Sequence, residues 1–200
     1  LAVARWRSLR SHAARAERGK DFIAAIFRDA RPREGSGGVV RASDLLASAS
    51  QRIESELGHD PAVAAELGLI VGEGFNNLGL PQESIAPLRA AIKRADQTLG
   101  DTHVTALGAR VMLADALAPL ELDEALRLLD DVVPKLQATL PASARRLVLA
   151  LQTRSFVLAK RNDREGSVAA MKQAYDVAEK HLGPDHEDTI YTLGFLGNTY

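Results

Sequence analysis

Apolar residues recur every three or four positions along most of the chain, and short turns rich in glycine and polar residues interrupt this pattern. Such spacing places the apolar side chains on one face of an α-helix. No stretch shows the strict alternation of apolar and polar residues that is typical of a half-buried strand. The pattern therefore predicts an all-α protein.

The turns between the helical patterns recur with a nearly constant period. A leucine marks each of them, at Leu57, Leu99, Leu140 and Leu182, and the successive differences in residue number are 42, 41 and 42 (99−57, 140−99 and 182−140). After each of these leucines the sequence contains two helical patterns joined by a short turn. This period predicts an α-solenoid of stacked antiparallel helix pairs, in which neighbouring pairs bury one another's apolar faces.

The solenoid is predicted to span residues 39–200. It divides into a helix at 39–56, repeats at 57–98, 99–139 and 140–181, and an incomplete repeat at 182–200. The helices predicted within the repeats are Pro61–Leu78, Pro81–Thr98, Val104–Ala118, Asp123–Thr139, Ala142–Lys160, Arg164–His181 and one that starts near Asp188.

Both ends of the sequence suggest a piece of a longer protein, because it starts at Leu1 and stops at Tyr200 inside an apolar pattern. Tyr200 falls in the first helix of a repeat whose second helix is missing. We expect the apolar face of that helix to be covered by the continuing chain or by a second copy, as in a homodimer.

Small and apolar residues at fixed places give the repeats a recognisable signature. The fourth repeat has Leu193, Leu196-Gly197 and Tyr200, and the second has Ala125, Leu129 and Val132. On these residues the units resemble tetratricopeptide repeats of the longer kind, which have the period described above. The resemblance is weakest in the third repeat, where Arg154 and Ser155 replace Leu-Gly. It implies that the signature residues, including Ala174, pack where two helices cross.

The same resemblance implies a right-handed superhelix whose first helices line a concave groove for a protein or peptide ligand. Helical spacing then selects the residues on the exposed stripes of these helices. The predicted groove residues are Glu66, Glu73, Asn76, Arg110, Gln152, Phe156, Tyr191 and Asn198. They lack the repeated Lys and Asn that clamp a C-terminal carboxylate in chaperone-binding relatives, so we do not expect that ligand.

Residues 1–38 are predicted to form a separate segment, consisting of a long helix and a glycine-rich loop. The helix, Leu1–Ala30, is basic around Trp6 and apolar at Phe22–Phe27. We expect it to dock on the solenoid through Phe22, Ile26 and Phe27. Its basic part is either a membrane-surface contact or a solvated helix face. Ser43 is predicted to cap the helix that follows the loop.

A second resemblance places this segment in a cellular context. Asp21–Phe27 and Val40–Leu46 resemble the stretch that follows the single transmembrane helix of certain bacterial serine/threonine kinases. The resemblance implies an extracytoplasmic, periplasmic sensor domain with a membrane span upstream of residue 1. The alternative is a cytoplasmic scaffold or a module of a transcriptional regulator.

Composition and motifs argue against catalysis by this chain. It has no cysteine, a formal net charge of −1, and five histidines of which three fall in the turns between repeats. No kinase, phosphate-loop or nucleophile motif occurs. We therefore expect no enzyme activity, no metal, no cofactor and no nucleic-acid partner.

Overall fold

Nine α-helices and no strand form the described parts of the chain, which are residues 2–30 and 40–197 of a computed structural model. The helices are α1 (Ala2–Arg28), α2 (Ala42–Glu56), α3 (Pro61–Asn77), α4 (Pro81–Thr98), α5 (Val104–Leu117), α6 (Leu122–Gln137), α7 (Ala144–Lys160), α8 (Arg164–His181) and α9 (Glu187–Gly197). The predicted all-α fold of stacked helix pairs is confirmed, and most helix ends lie close to those expected.

The chain forms two compact units, Leu1–Gly100 and Asp101–Tyr200. In the first unit, α1 packs against α2 and α3, α2 against α3, and α3 against α4. In the second unit, each helix from α5 to α9 packs against the next, and α5 also contacts α7. The two helices of a repeat are therefore neighbours in each unit.

Helices α3 and α4 cross closely enough that a side chain at either of two glycines of α3 would press against α4. A Cβ atom added to Gly72 would lie 2.3 Å from Leu88 Cγ, and one added to Gly68 would lie 3.1 Å from the Cβ of Ala91. In the third repeat the crossing is made by serines, and Ser155 Oγ lies 3.0 Å from Ser167 Oγ, both buried. The prediction that small residues mark the helix crossings is confirmed.

The second helix of each repeat brings the same three kinds of side chain to its crossing. A small residue is followed by a large aliphatic one four positions later, and by a small or β-branched one seven positions later. The three sets are Ser84, Leu88 and Ala91 in α4, Ala125, Leu129 and Val132 in α6, and Ser167, Met171 and Ala174 in α8. All nine side chains are buried.

Two of the recurring turns, at Leu99 and Leu182, end one helix and start the next through backbone hydrogen bonds. Gly100 and Gly183 have φ values of +95° and +100°, and their N–H groups donate to the carbonyls of Ala95 and Ala178, which closes α4 and α8. His103 starts α5, because its Nδ1 accepts the backbone N–H of Thr105 at 3.2 Å. His186 Nδ1 accepts the N–H of Asp188 in the same way at the start of α9. In these two turns, the order of Leu, Gly and His thus ends one helix and starts the next.

Two predictions about the N-terminal region are wrong. Ser43 does not cap α2, because that helix begins at Ala42 and has Arg41 at the capping position, without a side-chain hydrogen bond. Phe27 does not dock, since it is 64% exposed while Phe22 and Ile26 are buried. Phe22 and Ile26 are four positions apart and share one face of α1, whereas Phe27 is rotated by about 100° from Ile26.

Several predicted features lie outside the described residues. These are the loop at 31–38, the boundary between the predicted segments at 38 and 39, the side chain of Trp6, and residues 198–200, which include Asn198 and Tyr200. The proposed division at residue 38 stays a prediction. Within the described part, α1 belongs to the same compact unit as α2, α3 and α4.

We predict that Gly72→Ala destabilises the chain although alanine favours helices by about 1 kcal/mol over glycine. The new methyl group would overlap Leu88, and overpacking of a tight core costs about 1–3 kcal/mol. Gly194→Ala in α9 is the matched control, because nothing lies within 4 Å of the added Cβ. Thermal unfolding followed by circular dichroism should show a lower Tm for the first variant and an equal or higher Tm for the second. An equal rise in Tm for both variants would show that α3 and α4 do not cross as closely as described.

Candidate partner-binding surface

Four residues of α3 form a stripe that is only partly covered by its neighbours. Glu66, Ile70, Glu73 and Asn76 follow one another at intervals of four, three and three positions, which keeps them on one side of the helix. Ile70 is exposed and the other three are half-buried. A guanidinium nitrogen of Arg15 on α1 lies 3.6 Å from the Glu66 carboxylate, so α1 reaches one end of this stripe.

On α7, an exposed aromatic ring stands next to a buried amide. Phe156 is 43% exposed, and Lys160 Nζ lies 5.3 Å from the centre of its ring. One turn earlier, Gln152 Nε2 is buried, and no acceptor for its hydrogen bonds lies among the described residues. A buried donor without an acceptor costs about 1–3 kcal/mol, so this amide would gain a hydrogen bond if its side chain turned outwards to an oxygen at the surface.

A half-buried acid from α5 lies beside these α7 residues. Thr153, which follows Gln152 in the chain, donates its hydroxyl hydrogen to Asp115 Oδ1 at 3.2 Å. Burial raises the pKa of the Asp115 carboxyl above its ordinary value, and the hydrogen bond from Thr153 offsets part of that rise. Asp115, Gln152, Thr153, Phe156 and Lys160 together are called the α7 surface below.

Asp115 was missed by sequence reasoning, although the repeat itself points to it. The offset in residue number from the leucine of the repeat is 16 for Glu73, Asp115 and Phe156 alike (73−57, 115−99 and 156−140). Asn198, outside the described residues, has the same offset from Leu182 (198−182). Equal offsets mean equivalent places on the first helices, so the period alone would have selected Asp115 in the second repeat.

Arg110, the residue of α5 that the sequence analysis selected for the groove, lies on a different face of that helix from Asp115. Its offset from Leu99 is 11, which is also the offset of Gly68 at the α3–α4 crossing and of buried Leu151 (110−99, 68−57 and 151−140). Its Nε lies 3.7 Å from an oxygen of Asp131 on α6, and one of its terminal nitrogens donates to the carbonyl of Ala106 at 3.2 Å. Arg110 thus faces the second helix of its own repeat, and its predicted place on an open stripe is corrected.

Tyr191 is exposed on α9, as expected for a groove residue. Its offset from Leu182 equals that of Glu66 from Leu57 (191−182 and 66−57), so the two occupy equivalent places in different repeats. Glu66, Glu73 and Asn76 lie in the first compact unit, whereas Gln152, Phe156 and Tyr191 lie in the second. Their roles in binding stay predictions.

Within the second unit, one segment resembles a known family. Residues 149–188 match the family model of the tetratricopeptide repeat. The match begins in α7, includes all of α8 and ends after the turn at Leu182. It supports a tetratricopeptide repeat domain, and such domains bind protein partners. A search of the curated proteins found no match to the chain.

The match falls on the third repeat, whose first helix departs most from the tetratricopeptide signature. It includes the buried crossing residues Ser167, Met171 and Ala174 of α8. Among residues 2–30 and 40–197, no helix is both long enough and apolar enough to cross a membrane. Among the side chains that the structure describes, at 14–30 and 40–197, no group of three histidine, aspartate or glutamate residues is arranged to hold a metal ion.

We predict that Asp115→Asn stabilises the chain at pH 7. Because burial raises the pKa of Asp115 in the folded state, folding favours the protonated carboxyl, and stability falls as pH rises through that pKa. Asparagine removes the charge and keeps an oxygen for the Thr153 hydroxyl. The variant should have the higher Tm at pH 7, and the difference should shrink as the pH is lowered towards about 4.

Asp101→Asn provides a control of opposite sign. The hydrogen bond from Lys135 lowers the pKa of Asp101, so its charged form favours the fold above the ordinary carboxyl pKa. This variant should have an equal or lower Tm at pH 7, and its difference should vanish as the pH falls. A lower Tm for Asp115→Asn at pH 7 would contradict the assignment of Asp115 as a destabilised acid.

Proposed function

We propose that this chain binds a segment of a partner protein on the α7 surface. The observation that carries the proposal is the buried Gln152 amide, which has a hydrogen to donate and no acceptor among the described residues. Exposed Phe156 lies one turn further along the same side of α7 and offers apolar contact area. A peptide carbonyl would accept a hydrogen bond from Gln152 once the Gln152 side chain turns outwards, and an apolar side chain of the peptide would pack on Phe156.

The charge of the α7 surface narrows the kind of segment that fits. Asp115 places an acid beside Thr153, and a carboxylate ligand there would be repelled. Lys160 is already held over the Phe156 ring. We therefore propose an internal stretch of a partner chain, extended or helical, and not a C-terminal carboxylate. Binding of this kind needs no catalytic group, and none is proposed.

The test is selection from a phage-displayed library of random peptides, followed by titration of the selected peptides with variants of the chain. Phe156→Ala and Gln152→Leu should each weaken binding about tenfold or more, which corresponds to about 1.4 kcal/mol. Lys172→Ala, an exposed change on α8, should leave the affinity unchanged.

Gln152→Leu also separates a binding role from a structural one. Replacing an unsatisfied buried amide by an apolar group of similar size should keep or raise the Tm of the free chain while binding is lost. Selected peptides that bind equally well to both α7 variants would show that the α7 surface is not the binding site.

We further propose that the chain is the extracytoplasmic interaction module of a bacterial membrane-bound serine/threonine kinase. What supports this is the resemblance of Asp21–Phe27 and Val40–Leu46 to the stretch after the transmembrane helix of such kinases. The proposal requires an apolar run of about 20 residues upstream of residue 1, with a kinase domain before it. A full-length sequence with a DNA-binding domain instead, or without any span, favours the cytoplasmic regulator or scaffold.

In this proposal α1 carries the signal between the repeats and the membrane. It is a continuous helix of 27 residues, about 40 Å long at about 1.5 Å per residue. Phe22 and Ile26 bury one side of it, and Arg18 makes an ion pair of 2.6 Å with Asp60 at the start of α3. Binding of a partner can change the position of α1 only if the partner has a different affinity for two arrangements of the module.

We predict that Phe22→Asp combined with Ile26→Asp uncouples kinase output from partner binding in the full-length protein. Burying these two charges against α2 and α3 should detach α1, although the Arg52 guanidinium, which lies 5.5 Å from the centre of the Phe22 ring, can pair with the carboxylate at position 22. Phe27→Asp is the matched control, because Phe27 is exposed and the charge stays in water. Partner binding and substrate phosphorylation are measured separately. Unchanged phosphorylation in the double variant would remove α1 from the mechanism.

A further inference from the structure

A small cavity lies where the second and third repeats meet, within the second compact unit. It has a volume of about 160 Å³ and is lined by residues of α5, α6, α7 and the turns beside them. Its apolar walls include Val104 and Leu107 of α5 and Leu136 of α6. Leu107 and Leu136 are buried, whereas Val104 is 60% exposed and lies at the open side. A cavity of this size holds one ring or one short aliphatic group, since about 150 Å³ is enough for benzene.

The cavity has one positive charge. Among the described residues that line it, Arg146 alone has a charged side chain. Arg146 is half-buried in the first turn of α7, and no carboxylate of a described residue lies within ion-pair distance of its guanidinium. That turn contains no acid, and a cation is unfavourable there because the N-terminal end of a helix carries a partial positive charge. An anion in the cavity would therefore improve the electrostatics of this turn.

Two hydroxyl groups of the cavity already have acceptors. Thr139 Oγ1 lies 3.1 Å from the carbonyl oxygen of Leu136 and donates to it, and the Ser143 hydroxyl donates to the same carbonyl. Their hydrogens are thus not available to an anion. The guanidinium of Arg146 offers several N–H groups, which makes it the main donor on the cavity wall.

At the junction of the third and fourth repeats, an ion pair occupies the equivalent place. Arg145 pairs with Glu187 at 2.9 Å and with Asp188 at 3.9 Å. Arg145 lies 5 positions after the leucine of the third repeat, and the two acids lie 5 and 6 positions after that of the fourth (145−140, 187−182 and 188−182). This pair joins the starts of two successive first helices, α7 and α9.

The junction of the second and third repeats lacks such a pair. The same offsets select Val104 in the second repeat, and Arg145 and Arg146 in the third (104−99, 145−140 and 146−140). Arg145 is already held by the acids of the fourth repeat. Val104 cannot pair with Arg146, so the carboxylate that would complete this junction has to come from outside the described chain.

We propose that this cavity binds a small monocarboxylate with one apolar ring or short aliphatic chain. The two carboxylate oxygens accept hydrogen bonds from the Arg146 guanidinium. The apolar group lies between Val104, Leu107 and Leu136. A single negative charge matches the single cation, and the volume limits the apolar part to one group. The cavity shares no residue with the α7 surface, so the proposal does not rest on peptide binding there.

The test is titration of the 200-residue chain with matched pairs of small molecules, followed by isotope-edited NMR of methyl groups. Benzoate represents a free acid, and N-acetyl-leucine represents the last residue of a protein chain. Benzamide and N-acetyl-leucine amide lack the charge, and acetate lacks the apolar group. At least one of the two acids should shift the methyl signals of Val104, Leu107 and Leu136, and should bind about tenfold or more tightly than its amide. The acid that binds more tightly identifies the source of the ligand.

Two substitutions test the role of Arg146 with that acid. Arg146→Gln should weaken its binding about tenfold or more and abolish the preference over the amide. Arg127→Gln is the matched control, because Arg127 is an exposed arginine of α6 outside this cavity. Val104→Glu gives Arg146 a carboxylate within the chain, so it should raise the Tm and weaken binding of the acid. Val104→Gln, which has a similar size and no charge, should not raise the Tm.

Three results would overturn the proposal. One is the absence of any shift in these methyl signals with either acid at about 10 mM. Another is binding of acetate or the amides as tightly as the acids, which would mean a non-selective surface contact. The third is unchanged binding of the acid by Arg146→Gln when circular dichroism shows an intact fold. None of these results bears on the α7 surface, which is tested by peptide selection.

Discussion

The close crossing of two helices within each repeat is the constraint on which this structure depends. Where α3 meets α4, Leu88 occupies the space of a side chain that Gly72 lacks, and where α7 meets α8 two buried serines lie 3.0 Å apart. Helices can approach this closely only where side chains are small. In α4, the large side chain of Leu88 fills the gap that Gly72 leaves. One crossing thus fixes the composition of both helices.

The turns give that crossing its regular spacing. Gly100 and Gly183 end one helix with a backbone conformation that glycine adopts without strain, and His103 and His186 start the next by accepting a backbone N–H. The repeat leucines recur at nearly equal intervals, so equal offsets from them correspond to equivalent places on the first helices. This correspondence identifies Asp115 as the counterpart of Phe156 in the second repeat.

The surface proposed to bind a partner contains polar groups that are unfavourable in the free chain. Gln152 keeps a buried hydrogen-bond donor without an acceptor among the described residues, and burial raises the pKa of Asp115. A folded domain gains nothing from either feature, since an apolar pair of the same size would be more stable. Groups that cost stability in the free chain are those whose contacts a partner would complete.

The sequence by itself determined the all-α fold, the regular period of the repeats, most helix ends and the small residues at the crossings, including Ala125 and Ala174. These features depend on local spacing and on side-chain size. Only the tertiary structure decided that Arg110 faces α6, that Phe27 is exposed while Ile26 is buried, and that the Gln152 amide is enclosed. The physical reason is that a helix presents side chains in every direction, and the neighbours that surround it decide which of them stay open.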